Sequence, residues 1–302
     1  MEFRQLEYFV TISELENFTR TAEVLHVSQP SVTKAIKSLE GELKLTLIDR
    51  SQKHVTLTEE GRTFLIHAQR IMRDVQSAYQ DMQRFHSEAR GTIRFGIPPM
   101  VEGYLFPDFF TKFRAAYPDI TLDVQEFNDS LEVREQADLG ELDFGVVLCS
   151  PEECGTNEFL IMKDEMCLCL PPKHPLKELM VVPFTRLRKE KFIMQQPHTF
   201  QYRTVFDNCT QHGFTPDIVL CTSQLKTIKQ LVANGTGISV LPNFVTKNEK
   251  IFYRREIEPK IPLNISLYWG THKTFSSIDN RFMDFMRTYT AMPDFKKHFR
   301  QK

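Results

Sequence analysis

Basic, amide and hydroxyl side chains gather on one face of a short segment whose apolar spacing predicts a helix. The segment SQPSVTKAIKSLE begins at Ser28, which is suited to cap a helix, and Pro30 fits the first turn. Lys34 and Lys37 could neutralise phosphates, and the amide of Gln29 could bond an adenine edge in two places. The opposite face is an apolar stripe, formed by Val32, Ile36, Leu39 and Leu43.

The charge of this region does not by itself favour a polyanion as partner. Residues 1–60 hold seven Lys and Arg against ten Asp and Glu, and only residues 28–54 are net basic, with five against three. A surface helix with solvated lysines would show the same pattern, so both interpretations stay open on composition alone.

A second helix is needed to position this face. The preceding stretch, about residues 19–26, offers Ala22 and Leu25 for packing and ends at Val27. Two short helices joined by a tight turn, the second amphipathic with a basic and polar outer face, indicate a helix-turn-helix.

Three segments together resemble the winged helix-turn-helix of the LysR-type transcriptional regulators: LEYFV (6–10), TAEVLHVSQPSVTKAIKSLE (21–40) and LIDRSQKHVTLTEEG (47–61). The resemblance rests on motif in this region and on pattern in the remainder of the chain. It implies that the partner is double-stranded promoter DNA. It implies base contacts for Gln29, Pro30 and Thr33, phosphate contacts for Ser31, Lys34 and Lys37, and wing contacts for Arg50 and Lys53.

A single helix without proline is predicted from Thr58 to about Ala89. Its apolar positions recur at alternating spacings of four and three, the 3.5-residue period of two packed helices. We predict a symmetric dimer, as the family also implies, with half-sites about one DNA turn apart. Packing of this helix on its own domain is the alternative, and a homotetramer is a further expectation. The predicted seam consists of Phe64, Ala68, Ile71, Val75, Ala78, Met82 and Phe85.

After Arg90, short apolar runs alternate with helical stretches, which predicts an α/β fold with a largely parallel sheet. Residues 101–118 are predicted as one helical stretch, and strands are predicted to begin near residues 92, 120, 144, 166, 191, 217, 237 and 264. The resemblance implies two α/β lobes around a cleft, similar to periplasmic solute-binding proteins. The predicted domains are a winged helix-turn-helix (1–60), a linker helix (58–90) and an effector-binding domain (91–302), with lobe I at about 91–161 and 266–302 and lobe II at about 162–265.

Ligands of open α/β sheets bind beyond the carboxyl ends of strands, often against helix N-termini. Members of the family often place Ser or Thr where Pro98-Pro99-Met100 stands in this chain, so we expect a more apolar pocket and a metabolite as effector. Gly235 and Gly237 are predicted to serve a tight turn between helix and strand. The predicted effector-binding residues are Pro99, Met100, Asn128 and Ser130 in lobe I, and Thr199, Phe200 and Ser223 in lobe II.

The bulk composition is that of an ordinary globular protein. The 302 residues allow about two domains, with 41% hydrophobic and 25% charged residues and a formal net charge of −1. No apolar run reaches the roughly 18 residues of a membrane span, so we expect no membrane partner. The N-terminus lacks the pattern of a signal peptide, which predicts a cytoplasmic protein whose six cysteines form no disulfide framework.

The cysteines and the enzyme motifs give no catalytic prediction. In the peroxide-sensing branch of the family a cysteine pair reacts, and here Cys209 falls at the second position while Phe200 falls at the first. Cys167 and Cys169 alternate along a predicted strand and are predicted to be buried structural thiols.

The S-x-x-K pattern at Ser31 lacks partner motifs, and zincin, P-loop and paired C-x-x-C motifs are absent. We therefore predict no catalytic residue, metal or cofactor, and a ligand-responsive transcription regulator. The alternative is an α/β enzyme or solute-binding module with an incidental helical domain.

Overall fold

A computed structural model describes residues 1–49, 55–86, 91–293 and 295, with side-chain surroundings for these except at 73, 76, 77 and 80–86. The chain divides into two compact units, Met1–His86 and Ser87–Lys302. Over the described residues, every helix is too short or too polar to cross a membrane.

The first unit opens with α1 (Phe3–Leu15), α2 (Phe18–Val24) and α3 (Gln29–Leu43). Asn17 caps α2 because its side chain accepts hydrogen bonds from two backbone N–H groups of the first turn. The helix ends two residues earlier than predicted because His26 adopts a positive φ of 54°. Two short helices with a tight turn are therefore present, as the sequence predicts.

A short antiparallel pair, β1 (Ile48–Asp49) and β2 (Thr56–Leu57), precedes the long helix α4 (Glu59–His86). Gly61, in the first turn of α4, lies against the strand, since a Cβ atom there would come within 2.0 Å of the carbonyl oxygen of Leu47. Only glycine allows this close packing of α4 on the wing. The buried core of the unit includes Leu6, Phe9, Ile12, Ala22, Val32, Ile36, Leu39, Leu47, Ile48 and Ala68.

The second unit alternates strands and helices. In chain order its elements are β3 (Gly91–Ile97), α5 (Pro99–Leu105), α6 (Phe109–Ala116), β4 (Ile120–Glu126), α7 (Ser130–Asp138), β5 (Phe144–Cys149), β6 (Glu158–Leu170), β7 (Val181–Pro183), β8 (Lys191–Met194), α8 (Phe200–Gln211), β9 (Asp217–Cys221), α9 (Leu225–Ala233), β10 (Ser239–Pro242), α10 (Asn243–Thr246), β11 (Tyr253–Glu258), β12 (Pro262–Tyr268) and α11 (Ser277–Ala291).

One eight-stranded sheet connects two lobes. Its order is β4-β3-β5-β12-β6-β11-β7, with β10 also paired to β6, while β8 and β9 form a parallel pair. We define lobe I by β3, β4, β5 and β12, and lobe II by β7 to β11. The first half of β6 pairs with β12 and its second half with β10 and β11, so β6 crosses from lobe I to lobe II. The chain returns to lobe I between β11 and β12.

The prediction of a largely parallel sheet is wrong in the middle of the sheet. Strands β3, β4 and β5 are parallel, but β12 is antiparallel to both β5 and β6. β6 is likewise antiparallel to β10 and β11.

The helix predicted over 101–118 is two helices, α5 and α6. Pro107 lacks an N–H group and disfavours helical geometry at Phe106, which adopts φ −121° and ψ 40°. The break aligns aromatic residues with the core of lobe I, where ring contacts join Phe95, Phe109, Phe113, Phe144 and Phe282.

Candidate nucleic-acid interface and effector pocket

The helix α3 divides sharply into a buried face and an exposed face. Ser28 caps it in extended geometry, with its Oγ accepting the N–H of Ser31 at 3.4 Å. Val32, Ile36 and Leu39 are fully buried, as predicted. The predicted DNA-contacting residues on the outer face are half-buried at Thr33 and exposed at Gln29, Pro30, Ser31, Lys34 and Lys37.

The polar groups of this face bond to one another. The Gln29 Nε2 group donates to Thr33 Oγ1 at 3.2 Å, and the hydroxyl oxygens of Ser28 and Ser31 lie 2.7 Å apart. Because these hydrogen bonds are exposed to water, each contributes little net free energy. They can therefore be replaced by hydrogen bonds to a base edge or a phosphate.

Glu40 positions the start of the wing. Its Oε1 atom accepts the backbone N–H groups of Leu47 at 3.0 Å and Ile48 at 3.2 Å. The resemblance in residues 21–40 does not imply this role for Glu40. The predicted wing contacts Arg50 and Lys53 lie outside the described residues.

The first residues of the predicted seam of α4 pack in the core of their own unit, and later ones face solvent. Phe64 packs edge-on against Phe9 with ring centroids 5.3 Å apart, and Ala68 is fully buried in the same core. Ala68 is therefore not available to a partner helix. Ile71 and Ala78 are exposed and Val75 is half-buried, so the part of the seam left open begins at Ile71. The side-chain surroundings of Met82 and Phe85 are not described.

The predicted effector residues of lobe I lie at one edge of its sheet. Pro99 and Met100 open α5 directly after β3, while Asn128 and Ser130 precede and open α7 after β4. Because β3 and β4 are parallel, both loops come to the same edge. Pro99 and Asn128 are exposed and Met100 is half-buried, whereas Ser130 is buried.

Ser130 is already engaged by the fold. Its Oγ atom accepts the buried backbone N–H of Leu148 at 2.9 Å, which ties the start of α7 to β5. The hydroxyl hydrogen and the second lone pair of Ser130 remain for a ligand at this edge.

The predicted effector residues of lobe II lie at the edge formed by β8 and β9, which are parallel. Thr199 caps α8, since its hydroxyl donates to the carbonyl of Gln196 at 2.8 Å and accepts the N–H of Tyr202 at 3.2 Å. Phe200 is buried, and Ser223 is exposed between β9 and α9. Of these three, Ser223 is the one whose side chain the fold leaves facing solvent.

The turn after α9 needs both glycines that the sequence singles out. Gly235 adopts a φ of 81°, and a Cβ atom on Gly237 would come within 2.5 Å of the Lys191 carbonyl oxygen. The predicted helix-to-strand turn is confirmed.

A cavity of about 990 Å³, called here the crossing-strand cavity, lies where β6, β11 and β12 meet α10. Its wall combines apolar groups such as Met162 and Phe244 with charged ones, including Arg254 and Asp164. Burial raises the pKa of Asp164, whose carboxylate accepts the N–H of Phe244 at 2.9 Å. Arg254 donates to Asn243 at 2.7 Å, while its buried Nε has no hydrogen-bond partner among the described residues. The seven predicted effector residues do not line this cavity.

Two family descriptions match the chain. Residues 3–62 match the bacterial regulatory helix-turn-helix of the lysR family, and residues 86–291 match the LysR substrate binding domain. The chain belongs to the LysR family of transcriptional regulators.

Individual relatives cover nearly the whole chain. YwbI of Bacillus subtilis, an uncharacterized HTH-type transcriptional regulator, is 30% identical over 97% of this chain and 98% of YwbI. The hydrogen peroxide-inducible genes activator of Haemophilus influenzae is 28% identical over 82% of each chain. The crystal structure of CbnR with its target DNA superposes with a TM-score of 0.62 at 22% identity, over 96% of this chain and 100% of CbnR. At that identity the likeness to CbnR shows the fold alone.

Several thiols of this LysR-family chain are buried. Cys167 and Cys169 are buried on β6, as predicted. Cys209 is buried in α8, and burial raises its pKa to about 12, which disfavours the reactive thiolate. Phe200, at the position of the reactive cysteine in the peroxide-sensing branch, is buried at the start of the same helix. The exclusion of that chemistry stays a prediction.

A buried lysine that the sequence does not predict lies between the lobes. Lys229 of α9 is 4% exposed, and its ammonium donates to the hydroxyl of Tyr104 in α5 at 2.6 Å. It also bonds the carbonyl oxygen of Val245 and pairs with Glu249 at 2.6 Å. A lysine on an amphipathic helix is expected to be exposed. The partners of Lys229 lie 16 or more residues away in the sequence, so local sequence does not indicate them. This LysR-family chain therefore has a polar link between its lobes that no local signal indicates.

Proposed function

We propose that this LysR-family chain is a small-molecule-responsive regulator that binds a near-palindromic promoter site as a homodimer or homotetramer. The observation that carries the proposal is the division of α3, in which Val32, Ile36 and Leu39 are fully buried. Gln29, Lys34 and Lys37 stay exposed. A helix anchored on one side in this way can insert its other side into a major groove. We infer that it acts in the cytoplasm, where its DNA target lies, and that it catalyses no reaction.

The exposed part of α4 supports assembly. Ile71 and Val75 remain at least partly exposed on a helix whose first turns are fixed in their own core. Pairing of this stretch with a second copy would place two α3 helices for neighbouring half-sites.

The division of the second unit into two lobes supports a switch driven by a metabolite. A small molecule shifts such a protein only if it binds one arrangement of the lobes more tightly. We place its contacts at the strand edges that carry Pro99, Met100 and Asn128 in lobe I and Ser223 in lobe II. We assign Ser130, Thr199 and Phe200 a role in shaping these edges. Ser130 and Thr199 are engaged in hydrogen bonds within the fold, and Phe200 is buried.

Loss of the Gln29 amide is expected to weaken specific binding selectively. Gln29→Ala removes a group suited to bidentate bonding with adenine, so affinity for an operator selected from random DNA should fall by about 1–3 kcal/mol. Affinity for random DNA should stay unchanged. Fluorescence anisotropy on both DNAs measures the two affinities.

Lys34→Ala is the matched comparison on the same face. Removal of one phosphate contact should weaken binding to both DNAs alike and reduce the salt slope by about one. An equal loss on both DNAs for Gln29→Ala would instead mean that Gln29 does not read bases.

The effector site is tested with metabolites that copurify with the chain and are identified by mass spectrometry. For the wild type we expect an active metabolite to change operator affinity by about 5- to 150-fold. Asn128→Ala in lobe I and Ser223→Ala in lobe II should each reduce that change, because each removes a polar group from a proposed contact edge. Arg254→Gln, in the crossing-strand cavity, should retain it. Loss of the response in Arg254→Gln alone would assign the effector to the cavity.

A further inference from the structure

Two thiols and a carboxylate converge at the end of β5 in lobe I. The sulfur atoms of Cys149 and Cys154 lie 3.2 Å apart, and both cysteines are free thiols. A carboxylate oxygen of Glu158 lies 4.0 Å from the Cys149 sulfur. One potential ligand atom from each of the three residues lies within 4.8 Å of the others.

Surrounding groups orient these three side chains from outside the cluster. Glu158 Oε1 accepts hydrogen bonds from the Arg134 guanidinium at 2.7 Å and from the Gly155 N–H at 3.1 Å. The Glu158 side chain is only 4% exposed. Glu158 Oε2 is the oxygen on the side of Cys149. The amide of Asn264 donates to the Cys154 sulfur at 3.1 Å. Outer hydrogen bonds of this kind typically hold ligands in place around a metal ion.

We propose that Cys149, Cys154 and Glu158 form a binding site for a thiophilic divalent cation of the zinc class. Thiolate sulfur and carboxylate oxygen both belong to the ligand set that Zn²⁺ takes in proteins. With both sulfurs deprotonated, these three ligands carry a charge of −3, and Arg134 reduces the charge of the cluster to −2. A divalent cation neutralises that charge.

The two sulfurs need only a small movement to bind one cation. With Zn–S bonds of about 2.3 Å, two sulfurs of a tetrahedral site stand about 3.8 Å apart, so the observed sulfurs must separate by roughly half an ångström. Cys154 can provide this movement, because it is half-buried and follows the exposed 3-10 turn Pro151–Glu153. Water would supply the fourth ligand, as in other zinc sites with three protein ligands.

The prediction of no metal site rests on the absence of zincin and paired C-x-x-C motifs, neither of which Cys-x4-Cys-x3-Glu matches. The cluster forms through strand pairing, since Cys149 of β5 lies opposite Asn264 of β12, and Glu158 begins β6. A bound cation would join β5 and β6 through their side chains, next to the place where the lobes connect.

The test uses the full chain, reduced and stripped of metal with a chelator, and Co²⁺ as the probe. We expect one Co²⁺ per chain, with the intense visible bands of tetrahedral cobalt and a thiolate-to-metal absorption in the near ultraviolet. One equivalent of Zn²⁺ should abolish these bands. Loss of a partner outside the ligand set typically costs about 10- to 100-fold in metal affinity. Cys154→Ser and Glu158→Gln each remove a ligand and should therefore lower the Co²⁺ affinity at least ~100-fold.

Cys221→Ser is the matched control, because it removes a half-buried thiol of lobe II and leaves the cluster intact. It should bind Co²⁺ as the wild type does. Cys154 is chosen over the buried Cys149 so that folding is preserved, which circular dichroism verifies. The proposal is overturned if the reduced wild type shows no thiolate band with Co²⁺, or if the band persists in Cys154→Ser. None of these readouts depends on DNA binding, so the result is independent of the proposed regulatory function.

Discussion

Glutamate in place of Ile71 is expected to lower operator affinity by at least ~100-fold. A dimer with two linked DNA-binding units gains about 10²- to 10⁴-fold in avidity over a single unit, and this gain is lost when the subunits separate. Ile71 is 36% exposed in the isolated chain and lies on the open part of the seam. A carboxylate there would have to be desolvated in an apolar contact. The unit itself should stay folded, because Phe64 and Ala68 anchor α4 in its core.

Ile66→Glu is the matched control for this variant. Ile66 is 66% exposed on the same helix, five residues before Ile71 and thus about 140° away around the axis. The same substitution at Ile66 should leave the dimer and the operator affinity near their wild-type values. Sedimentation velocity reports the assembly and anisotropy reports the affinity. An intact dimer with normal affinity in Ile71→Glu would mean that subunits do not pair along this face.

The helix-turn-helix could be predicted because its signals are local. The cap at Ser28 and the stripe from Val32 to Leu39 lie within a few turns and fold as the spacing indicates. The surroundings of α4 could not be predicted in the same way. Over three heptads a period of 3.5 residues differs little from 3.6, so the pattern does not separate packing within the chain from packing between chains. Ala68 is buried within its own unit, and only the later positions remain open.

Several features of the lobes depend on contacts between residues that are distant in the sequence, so local sequence does not predict them. Pro107 does carry a local signal for the break between α5 and α6, and the prediction of one helix overlooked it. The first half of β6 carries Lys163, Asp164 and Glu165, which weaken its apolar pattern, and pairing with the distant β12 keeps it extended. The bond from Leu148 to Ser130 likewise depends on chain topology. Strand edges can therefore be predicted from sequence, but not which of their side chains the fold has already engaged.

A buried charge network in lobe I supports the second large prediction. Asp143, which is 3% exposed, accepts the backbone N–H of Arg94 at 2.9 Å and its guanidinium at 3.2 Å. Lys273 lies 3.1 Å from the same carboxylate and 3.0 Å from Asp279, which caps α11 together with Ser276. The network thus joins β3, the start of β5 and the N-terminus of α11. Removal of Asp143 leaves two cations in this interior with one carboxylate.

Asp143→Ala is expected to lower the free energy of unfolding of the second unit by about 3–5 kcal/mol, because loss of one partner leaves buried charge uncompensated. Asp284→Ala, also on lobe I, removes an exposed carboxylate 3.4 Å from Arg287 and should cost at most about 1 kcal/mol. Urea unfolding followed by fluorescence of the single tryptophan, Trp269, measures both variants within this unit. Equal losses in the two variants would show that the network contributes no more than a surface pair.

The same network should make stability depend on pH in acid. Burial alone would raise the pKa of Asp143, but the charge of Lys273 and the hydrogen bonds from Arg94 outweigh it and hold the pKa well below its usual value. A carboxylate with a lowered folded-state pKa stabilises the fold above its unfolded pKa of about 3.9, and this contribution is lost as the pH falls towards the folded-state pKa. The difference in unfolding free energy between the wild type and Asp143→Asn should therefore be constant near neutral pH and shrink below about pH 4. Urea unfolding of both proteins between pH 7 and pH 3 measures this difference. A difference that stays constant into acid would mean that the carboxylate charge of Asp143 does not stabilise lobe I.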